Sequence, residues 1–292
     1  MQRAVENEES IMILAINYAD EEWKPAQKYN SKCALKYGAD EVTEYGPELL
    51  DKDFKEANKE LLSFKRGGGY WVWKPYIILD ALNRLEDGDY LFYSDSGLAL
   101  IKPLSNFLEP LKKSGQNVMC FSTIYPEKNW SKRDAFTLMD CDAAEYYNTL
   151  QIMSGISLFK KSAEAIALVK EWLYYAQDIR IVTDNSNVMG KENYEGFIEN
   201  RHDQTVWSLL CKRHHILPFR DPSEYGMERE KWPEDILQRS PYGQIMIFHR
   251  QPWLHSDLEL FYPEVARLLK FVTYKSIVKD LLRRVLFFDK VH

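Results

Sequence analysis

The stretch Tyr90–Gly97, YLFYSDSG, joins a short apolar run to a turn that carries a carboxylate. Its four bulky residues predict a buried strand, of the kind found in sheets that are covered on both faces. Asp95 follows this strand directly, and ligands of open α/β sheets bind at the carboxyl ends of the strands. A carboxylate there can hold a hard cation or accept from a ribose hydroxyl; alternatively, it only caps its own turn.

Short apolar segments alternate with helical ones along the rest of the chain. Strands are predicted at Ile11–Ile16, Glu41–Tyr45, Val118–Thr123, Gly155–Phe159 and Ile245–His249, and helices at Trp23–Tyr37, Lys52–Lys65, Lys74–Leu85, Ala163–Gln177 and Asp203–Lys212. This alternation predicts an α/β fold with helices on both sides of a mostly parallel central sheet. The polar, irregular segment Asp178–Asn200 is expected to be a mobile loop.

The charge of the chain is unevenly distributed. The net charge is −6, which argues against a nucleic-acid partner. Residues Val265–His292 nevertheless hold seven Lys or Arg and only two Asp. We therefore divide the chain into a catalytic domain, 1–263, and a basic amphipathic helical tail, 264–292. Such a tail suits an anionic membrane surface, or it packs on the domain with a solvated basic face.

The four cysteines, at positions 33, 120, 141 and 211, show no CxxC spacing. This scatter favours reduced thiols over a disulfide framework or a zinc site. The polar start of the chain is unlike a secretory signal, and no apolar run is long enough to span a bilayer. We expect a cytoplasmic protein, or one that lies on the cytoplasmic face of a membrane.

The segment Arg66–Pro75, RGGGYWVWKP, combines three glycines with basic residues and the start of a helix. The glycines allow close backbone approach to a ligand, and a helix start offers free N–H groups. Arg66 and Lys74 can offset the charge of a diphosphate. The segment has neither the ending of a P-loop nor the spacing of a dinucleotide fingerprint, so a glycine-rich turn with core tryptophans is the alternative.

Two further positions carry polar groups next to regular structure. Asp203 stands at the start of a predicted helix, where it can act as an N-cap, a catalytic carboxylate or both. His249 ends a predicted strand ahead of Pro252-Trp253. A single strand-end histidine is more often structural than a ligand, but other strand ends that carry carboxylates are expected nearby.

Taken in order, these motifs resemble the glycosyltransferases of the GT-A fold, in particular the galactosyl- and glycogenin-type group of family 8. Its Tyr-x-Asp-x-Asp turn is similar to Tyr93–Gly97, and its sugar-site segment to Met153–Ile156. Its Asp-Gln pair corresponds to Asp203-Gln204, and its strand-end histidine before Pro-Trp to His249. The stretches GGGYWVWKPYIILDAL and RHDQTVWSLL also resemble bacterial and viral glycosyltransferases of surface polysaccharides.

The resemblance implies a nucleotide-binding GT-A fold over roughly residues 11–255 and a set of site residues. Asp95 and His249 would be ligands of Mn²⁺ or Mg²⁺, although Gly97 replaces the second acidic ligand of the family and leaves metal dependence open. Donor-binding residues are expected to be Asn17, Arg66, Tyr70, Lys74, Tyr93, Asp95, Ser96, Ser154 and Gly155. Catalytic residues are expected to be Asp203, Gln204 and Asp134.

The expected activity is transfer of a sugar from a nucleotide-sugar donor, with UDP implied by the resemblance, to a glycan or lipid-linked acceptor. Retention, with Asp203 or Gln204 near the anomeric carbon, is slightly favoured. Under inversion, Asp203 or Asp134 would be the general base. Two other hypotheses stay open: a non-catalytic nucleotide- or glycan-binding protein, and a metal-dependent sugar nucleotidyltransferase.

Overall fold

The computed structural model of the protein describes residues 11–261. Its strands are β1 (Ile13–Tyr18), β2 (Glu41–Tyr45), β3 (Tyr90–Ser94), β4 (Leu98–Leu100), β5 (Val118–Pro126), β6 (Leu150–Lys160) and β7 (Met246–Phe248). Five of them form the central sheet in the order β2-β1-β3-β6-β5, and β4 pairs with β7 in a second, two-stranded sheet.

The central sheet is mostly parallel, as predicted. β1 pairs in parallel with both β2 and β3, whereas β6 runs antiparallel to β3 and to β5. Four of the five strands therefore point in the same direction, and β6 alone points the other way. The carboxyl ends of β1 and β3 meet at one edge of the sheet, where Asp95 follows β3.

Both faces of the sheet are buried, which explains the continuous apolar run of β1. Leu14 and Ile16 belong to one core cluster, while Ile13 and Ala15 belong to another. Because successive residues of a strand point to opposite faces, this division shows that helices cover the sheet on both sides.

Five helices of the described chain have ten or more residues: α1 (Lys24–Lys36), α2 (Trp73–Arg84), α3 (Ser105–Ser114), α4 (Ala163–Ala176) and α5 (Asp203–Arg213). Shorter helices span Lys52–Ala57, Lys59–Leu62, Gly67–Tyr70, Glu127–Trp130, Arg133–Leu138, Ala144–Tyr147, Ile179–Val182, Glu234–Arg239 and Asp257–Phe261. The prediction of a single helix over Lys52–Lys65 is wrong. The chain breaks at Asn58, whose side chain donates to the Phe54 carbonyl and to Gln177.

Two other expectations differ from the structure. The strand expected at Ile245–His249 is shorter, Met246–Phe248, and lies outside the central sheet because it pairs with β4. The segment Asp178–Asn200 is largely irregular, but it begins with a short helix, and its backbone is hydrogen-bonded to Asp134. The predicted tail, 264–292, lies outside the described residues.

The four cysteines are buried and unpaired, as expected. Within residues 11–261 no helix has both the length and the apolar character required to cross a membrane.

Candidate active site

A cleft of about 1390 Å³ opens at the edge of the sheet where β1 and β3 end. Its lining includes residues that follow these two strands, the glycine-rich segment before α2, the middle of β6 and the first turn of α5. Eight of the predicted site residues lie in it: Arg66, Lys74, Asp95, Ser96, Ser154, Gly155, Asp203 and Gln204. Residues more than a hundred positions apart in the sequence are thus brought together.

A buried lysine connects the two carboxylates of the cleft floor. The Lys74 ammonium is 3.0 Å from Asp203 Oδ2 and 3.3 Å from Asp95 Oδ1, and it donates to Ser154 Oγ at 3.2 Å. Burial alone would lower the pKa of Lys74, but Asp203 and Asp95 outweigh it and raise that pKa. Lys74 therefore stays charged. The Asp203 side chain is 4% exposed and the Asp95 side chain 39%, so only Asp95 offers its carboxylate to solvent.

Neighbouring groups fix the orientation of Asp95. Tyr93 Oη donates to Asp95 Oδ1 at 2.5 Å, and the Asp95 amide donates to the Gly155 carbonyl at 2.9 Å. Burial and the adjoining Asp95 raise the pKa of Tyr93 well above its usual value, which keeps its hydroxyl protonated. Gly155 leaves room for the carboxylate, because a Cβ there would lie 2.9 Å from Asp95 Oδ2.

A chain of hydrogen bonds also orients the Gln204 amide. Buried Glu127 accepts from Gln151 Nε2 at 3.1 Å and forms an ion pair with Lys212. Because Nε2 is engaged in this way, Gln151 presents its Oε1, which accepts from Gln204 Nε2 at 2.7 Å. Gln204 must then direct its own Oε1 towards the amide of Ser154, 3.3 Å away. The carbonyl oxygen of Gln204, rather than its NH₂ group, is thereby directed along the cleft floor.

The glycine-rich segment forms a left-handed turn. The five residues from Gly67 to Trp71 all have positive φ, which only glycine adopts without cost. The amides of residues 68–72 donate to carbonyls of residues 65–69 and are not free for a ligand, and in the first turn of α2 the Lys74 amide donates to the Trp71 carbonyl. What this segment offers the cleft is side chains: Arg66, which pairs with Asp184 and Glu199, and Trp71.

Aromatic rings line several parts of the cleft. The rings of Tyr18 and Trp73 stack with their centroids 3.7 Å apart. Tyr125 and Tyr225 also line the cleft and are 47% and 50% exposed, which leaves part of each ring open to a ligand. Exposed aromatic faces suit a nucleobase or the C–H face of a sugar ring.

Other predicted residues lie outside the lining of the cleft. Asn17 is buried and donates to Asn30 and Ser31, and Tyr70 packs against Phe64 and His202. Tyr93 is fully buried beneath the cleft, where its hydroxyl donates to Asp95 and its ring centroid lies 5.5 Å from Lys74 Nζ.

Asp134 is also enclosed. Its carboxylate is fully buried and accepts from the amides of Val188 and Met189, at 2.6 and 3.1 Å. This arrangement fastens the loop and does not present a base to a substrate.

The N-cap expected at Asp203 is absent. Asp203 is the first residue of α5, follows a His202 with φ of 57°, and directs its carboxylate to Lys74 and Ser154.

The residues expected to bind a metal do not fit a divalent-cation site. Asp95 Oδ1 is already engaged by Tyr93 and Lys74. His249 Nδ1 accepts from the amide of Gln251 at 3.1 Å, which places the proton of the neutral ring on Nε2, whereas a metal ligand must be unprotonated. Burial lowers the pKa of His249 to about 4, so the ring is neutral. Within residues 11–261 no group of three or more His, Cys, Asp or Glu side chains is placed to hold a metal ion.

Asp221 and Arg250 are charged residues of the cleft that the sequence analysis did not assign to the site. Asp221 lies in the lining, and burial raises the pKa of its carboxyl. Asp221 comes two residues after Phe219, which forms a β-bridge with Phe121 of β5. A short apolar segment followed by an aspartate was therefore the signal that the sequence offered. Arg250 also lines the cleft, and its amide donates to the Gly97 carbonyl at 3.1 Å. No local pattern marks Arg250, because the contact joins residues 153 positions apart.

No protein-family model matches the chain, and neither does any curated protein sequence. Among solved structures, mouse xyloside xylosyltransferase 1 in its apo form is similar, at 10% identity and a TM-score of 0.45, over 82% of this chain and 97% of that chain. The apo bifunctional glycosyltransferase WbbM is similar at 11% identity and a TM-score of 0.44, over 82% of this chain and 46% of its own. The galactosyltransferase LgtC, in complex with donor and acceptor sugar analogs, is similar at 11% identity and a TM-score of 0.43, over 81% of this chain and 86% of that chain.

Proposed function

We propose that the protein is a glycosyltransferase that moves a sugar from a nucleotide-sugar donor to a glycan or lipid-linked acceptor. The cluster on the cleft floor carries the proposal: Lys74 holds Asp95 and Asp203 together where β3 ends and α5 begins. A fixed, charged cluster at the carboxyl ends of strands suits a reaction in which charge develops on a departing group.

The cleft has the size and charge that a nucleotide-sugar requires. Its volume of about 1390 Å³ exceeds the range of roughly 300–1,000 Å³ typical of small-molecule sites, which leaves room for both a donor and an acceptor. Eight Lys or Arg and six Asp or Glu side chains line it, whereas the whole chain carries a net charge of −6. This local excess of positive charge favours an anionic ligand such as a diphosphate. Tyr18, which stacks on the buried Trp73, supplies an aromatic surface for a base, with UDP as the first choice.

The geometry favours a retaining reaction slightly. Burial raises the pKa of Asp203, but Lys74 and Ser154 both donate to its Oδ2 and its side chain is only 4% exposed, so it is poorly placed to take a proton from an acceptor hydroxyl. Gln204, in contrast, directs a carbonyl oxygen along the floor of the cleft, where it can stabilise positive charge at the anomeric carbon. The acceptor hydroxyl then attacks from the face that the diphosphate leaves, and its proton passes to the departing phosphate oxygen. Under inversion, Asp221 replaces the enclosed Asp134 as the candidate base.

The acceptor belongs, in this proposal, near the exposed tyrosines. Tyr125 packs on Trp130, over which the Arg201 guanidinium lies at 4.2 Å, and Tyr225 packs on Phe248. These supported rings suit the sugar rings of a glycan or of a lipid-linked saccharide. An anionic membrane surface remains a proposed partner of segment 264–292, and co-sedimentation of the full chain with anionic and neutral vesicles tests it.

A donor screen tests the proposed activity. The protein is incubated with UDP-, GDP-, CMP- and dTDP-sugars, and thermal stability and released products are measured. The correct donor at 100 times its Kd stabilises the native state by about 2.7 kcal/mol. Release of the free nucleotide part of the donor (a nucleoside diphosphate for all but the CMP-sugar) supports transfer or donor hydrolysis. Formation of pyrophosphate from a nucleoside triphosphate and a sugar phosphate would favour a nucleotidyltransferase, and donor binding without any turnover would favour a non-catalytic binder.

Asp95→Asn tests the assignment of the site. The substitution keeps the shape of the side chain but removes its charge, and we expect product formation to fall by about 100-fold. Asp87→Asn is the matched control, because Asp87 is an exposed turn residue outside the cleft. Wild-type rates in the Asp95 variant would remove this residue from the active site.

A further inference from the structure

Position 97, where the family resemblance places a second acidic metal ligand, is a glycine packed against Trp23. A Cβ on Gly97 would lie 3.3 Å from the Trp23 ring and 3.6 Å from the Cα of Arg250. An aspartate there would require the Trp23 ring to shift by a few tenths of an ångström. The glycine is therefore part of the packing of this turn, and its carbonyl accepts the Arg250 amide.

The remaining carboxylate of the turn already pairs with a protein cation, which it shares with Asp203. Asp95 Oδ1 lies between the Tyr93 hydroxyl and the Lys74 ammonium, and Lys74 is itself fixed by Asp203. A divalent cation bound to Asp95 would stand next to this buried ammonium and be repelled by it. Asp95 is thus suited to accept a hydrogen bond and poorly suited to bind a metal.

Arg250 provides the positive charge that such a site still needs. Among the lining residues, Lys55, Lys65 and Arg250 make no ion pair within the described chain, and only Arg250 is hydrogen-bonded to the turn of Asp95 and Gly97. Its guanidinium centre lies 5.8 Å from the Tyr225 ring and 5.6 Å from the Phe248 ring, which support it without neutralising it. A guanidinium held in this way matches the geometry of phosphate oxygens.

We propose that the protein binds the diphosphate of its donor without a divalent cation, and that Arg250 takes over the charge that a metal would supply. The proposal rests on the function proposed above. It differs from what the family resemblance implies, since that resemblance assigns Asp95 and His249 to a metal.

Isothermal titration calorimetry tests this on the full chain after exhaustive treatment with EDTA. UDP, GDP and dTDP are titrated in turn, with and without excess Mn²⁺, and Mn²⁺ alone is titrated while free Mn²⁺ is followed by electron paramagnetic resonance. We expect the tightest nucleotide to bind without metal, and Mn²⁺ to tighten its Kd by less than about threefold, since no metal bridge to the protein is formed. We also expect Mn²⁺ alone to remain free.

Arg250→Gln should weaken nucleotide binding by about tenfold or more, because it removes a charge-assisted hydrogen bond. Arg180→Gln is the matched control: Arg180 is paired with Asp178 outside the cleft, and its loss should leave the Kd unchanged. Nucleotide binding that Mn²⁺ tightens by about threefold or more, or an Arg250 variant that binds as the wild type does, overturns the proposal. If no nucleotide binds under either condition, the proposed function fails with it.

Discussion

Gly155 sets the position of the Asp95 carboxylate. The Gly155 carbonyl accepts from the Asp95 amide, and the space above its Cα is filled by Asp95 Oδ2. A methyl group there would lie 2.9 Å from this oxygen, closer than carbon and oxygen normally approach. The carboxylate must then move, and a shift of about 1 Å in a catalytic group is enough to cost about 100-fold in rate.

Gly155→Ala should therefore lower product release by about tenfold to 100-fold while the melting temperature changes little. The matched control is Gly243→Ala, since a Cβ at position 243 would meet nothing within 4 Å. Rates are measured at saturating donor, and far-UV circular dichroism reports the fold. A Gly155 variant with wild-type turnover would show that Asp95 does not need this position.

How far the sequence predicts the site depends on whether a residue's partners are near it in the chain. Asp95 and Asp203 lie in the cleft, as their places at a strand end and a helix start predict, whereas Ser154 and Gln204 were expected there from the family resemblance. Asp134 lies outside the lining of the cleft, and nothing local in the sequence shows that the loop after Val182 folds over it.

The left-handed turn Gly67–Trp71 is a strained element that its surroundings hold in place. Tyr70 and Trp71 have φ of 53° and 60°, which are costly for residues with a Cβ. Both rings pack on His202, and Trp73 Nε1 donates to the Gly67 carbonyl at 2.9 Å. The three glycines predicted a break in regular structure at this point. They did not predict that the turn is left-handed, which the contacts with distant residues select.

A comparison of Gly69, in this turn, with Gly88, which lies outside it at nearly the same φ, separates the cost of backbone strain from the cost of packing. Gly69 has φ of 100° and Gly88 of 102°, so Gly→Ala carries a similar conformational cost at both. At Gly69 the Cβ would also lie 2.9 Å from Leu62 Cα, whereas at Gly88 it meets nothing within 4 Å. Urea unfolding should show Gly69→Ala to be less stable than Gly88→Ala by about 1–3 kcal/mol. Equal losses in the free energy of unfolding would mean that Leu62 moves aside without a measurable cost.

Asp142 anchors the irregular segment after α4. Burial would raise the pKa of Asp142, but hydrogen bonds from Lys191, Tyr194 and Arg133 outweigh it and lower the pKa from 3.8 to about 2. Because the folded pKa lies below the unfolded one, the stabilisation is fully present above pH 3.8 and is lost as the pH falls towards 2. It amounts to about 2 kcal/mol.

Asp142→Asn should accordingly destabilise the protein by about 2 kcal/mol at neutral pH and by progressively less as the pH falls below 4. Urea unfolding of the wild type and the variant at a series of pH values measures the difference. A difference that stays constant down to the acid limit would indicate that Asp142 acts through packing and not through its charge.

At the scale of the whole molecule, the C-terminal part of the described chain packs against elements from its N-terminal part. β7 pairs with β4, the Pro252 carbonyl accepts from the Ala26 amide, and Tyr29 donates to Asp257 at 2.9 Å. The sequence predicted β7 as a strand but not its partner, since pairing between residues about 150 positions apart leaves no local trace.

If these contacts join one cooperative unit, weakening β7 should destabilise the entire described fold. Met246 of β7 is fully buried in the same core cluster as Phe92 and Phe107. Met246→Ala should cost about 2–5 kcal/mol while unfolding remains a single transition, with circular dichroism and tryptophan fluorescence changing together. Met189→Ala, at a site that is 38% exposed, should cost far less. An early fluorescence change in the Met246 variant, ahead of the loss of secondary structure, would show instead that the C-terminal strand detaches by itself and that the cleft can open without unfolding the sheet.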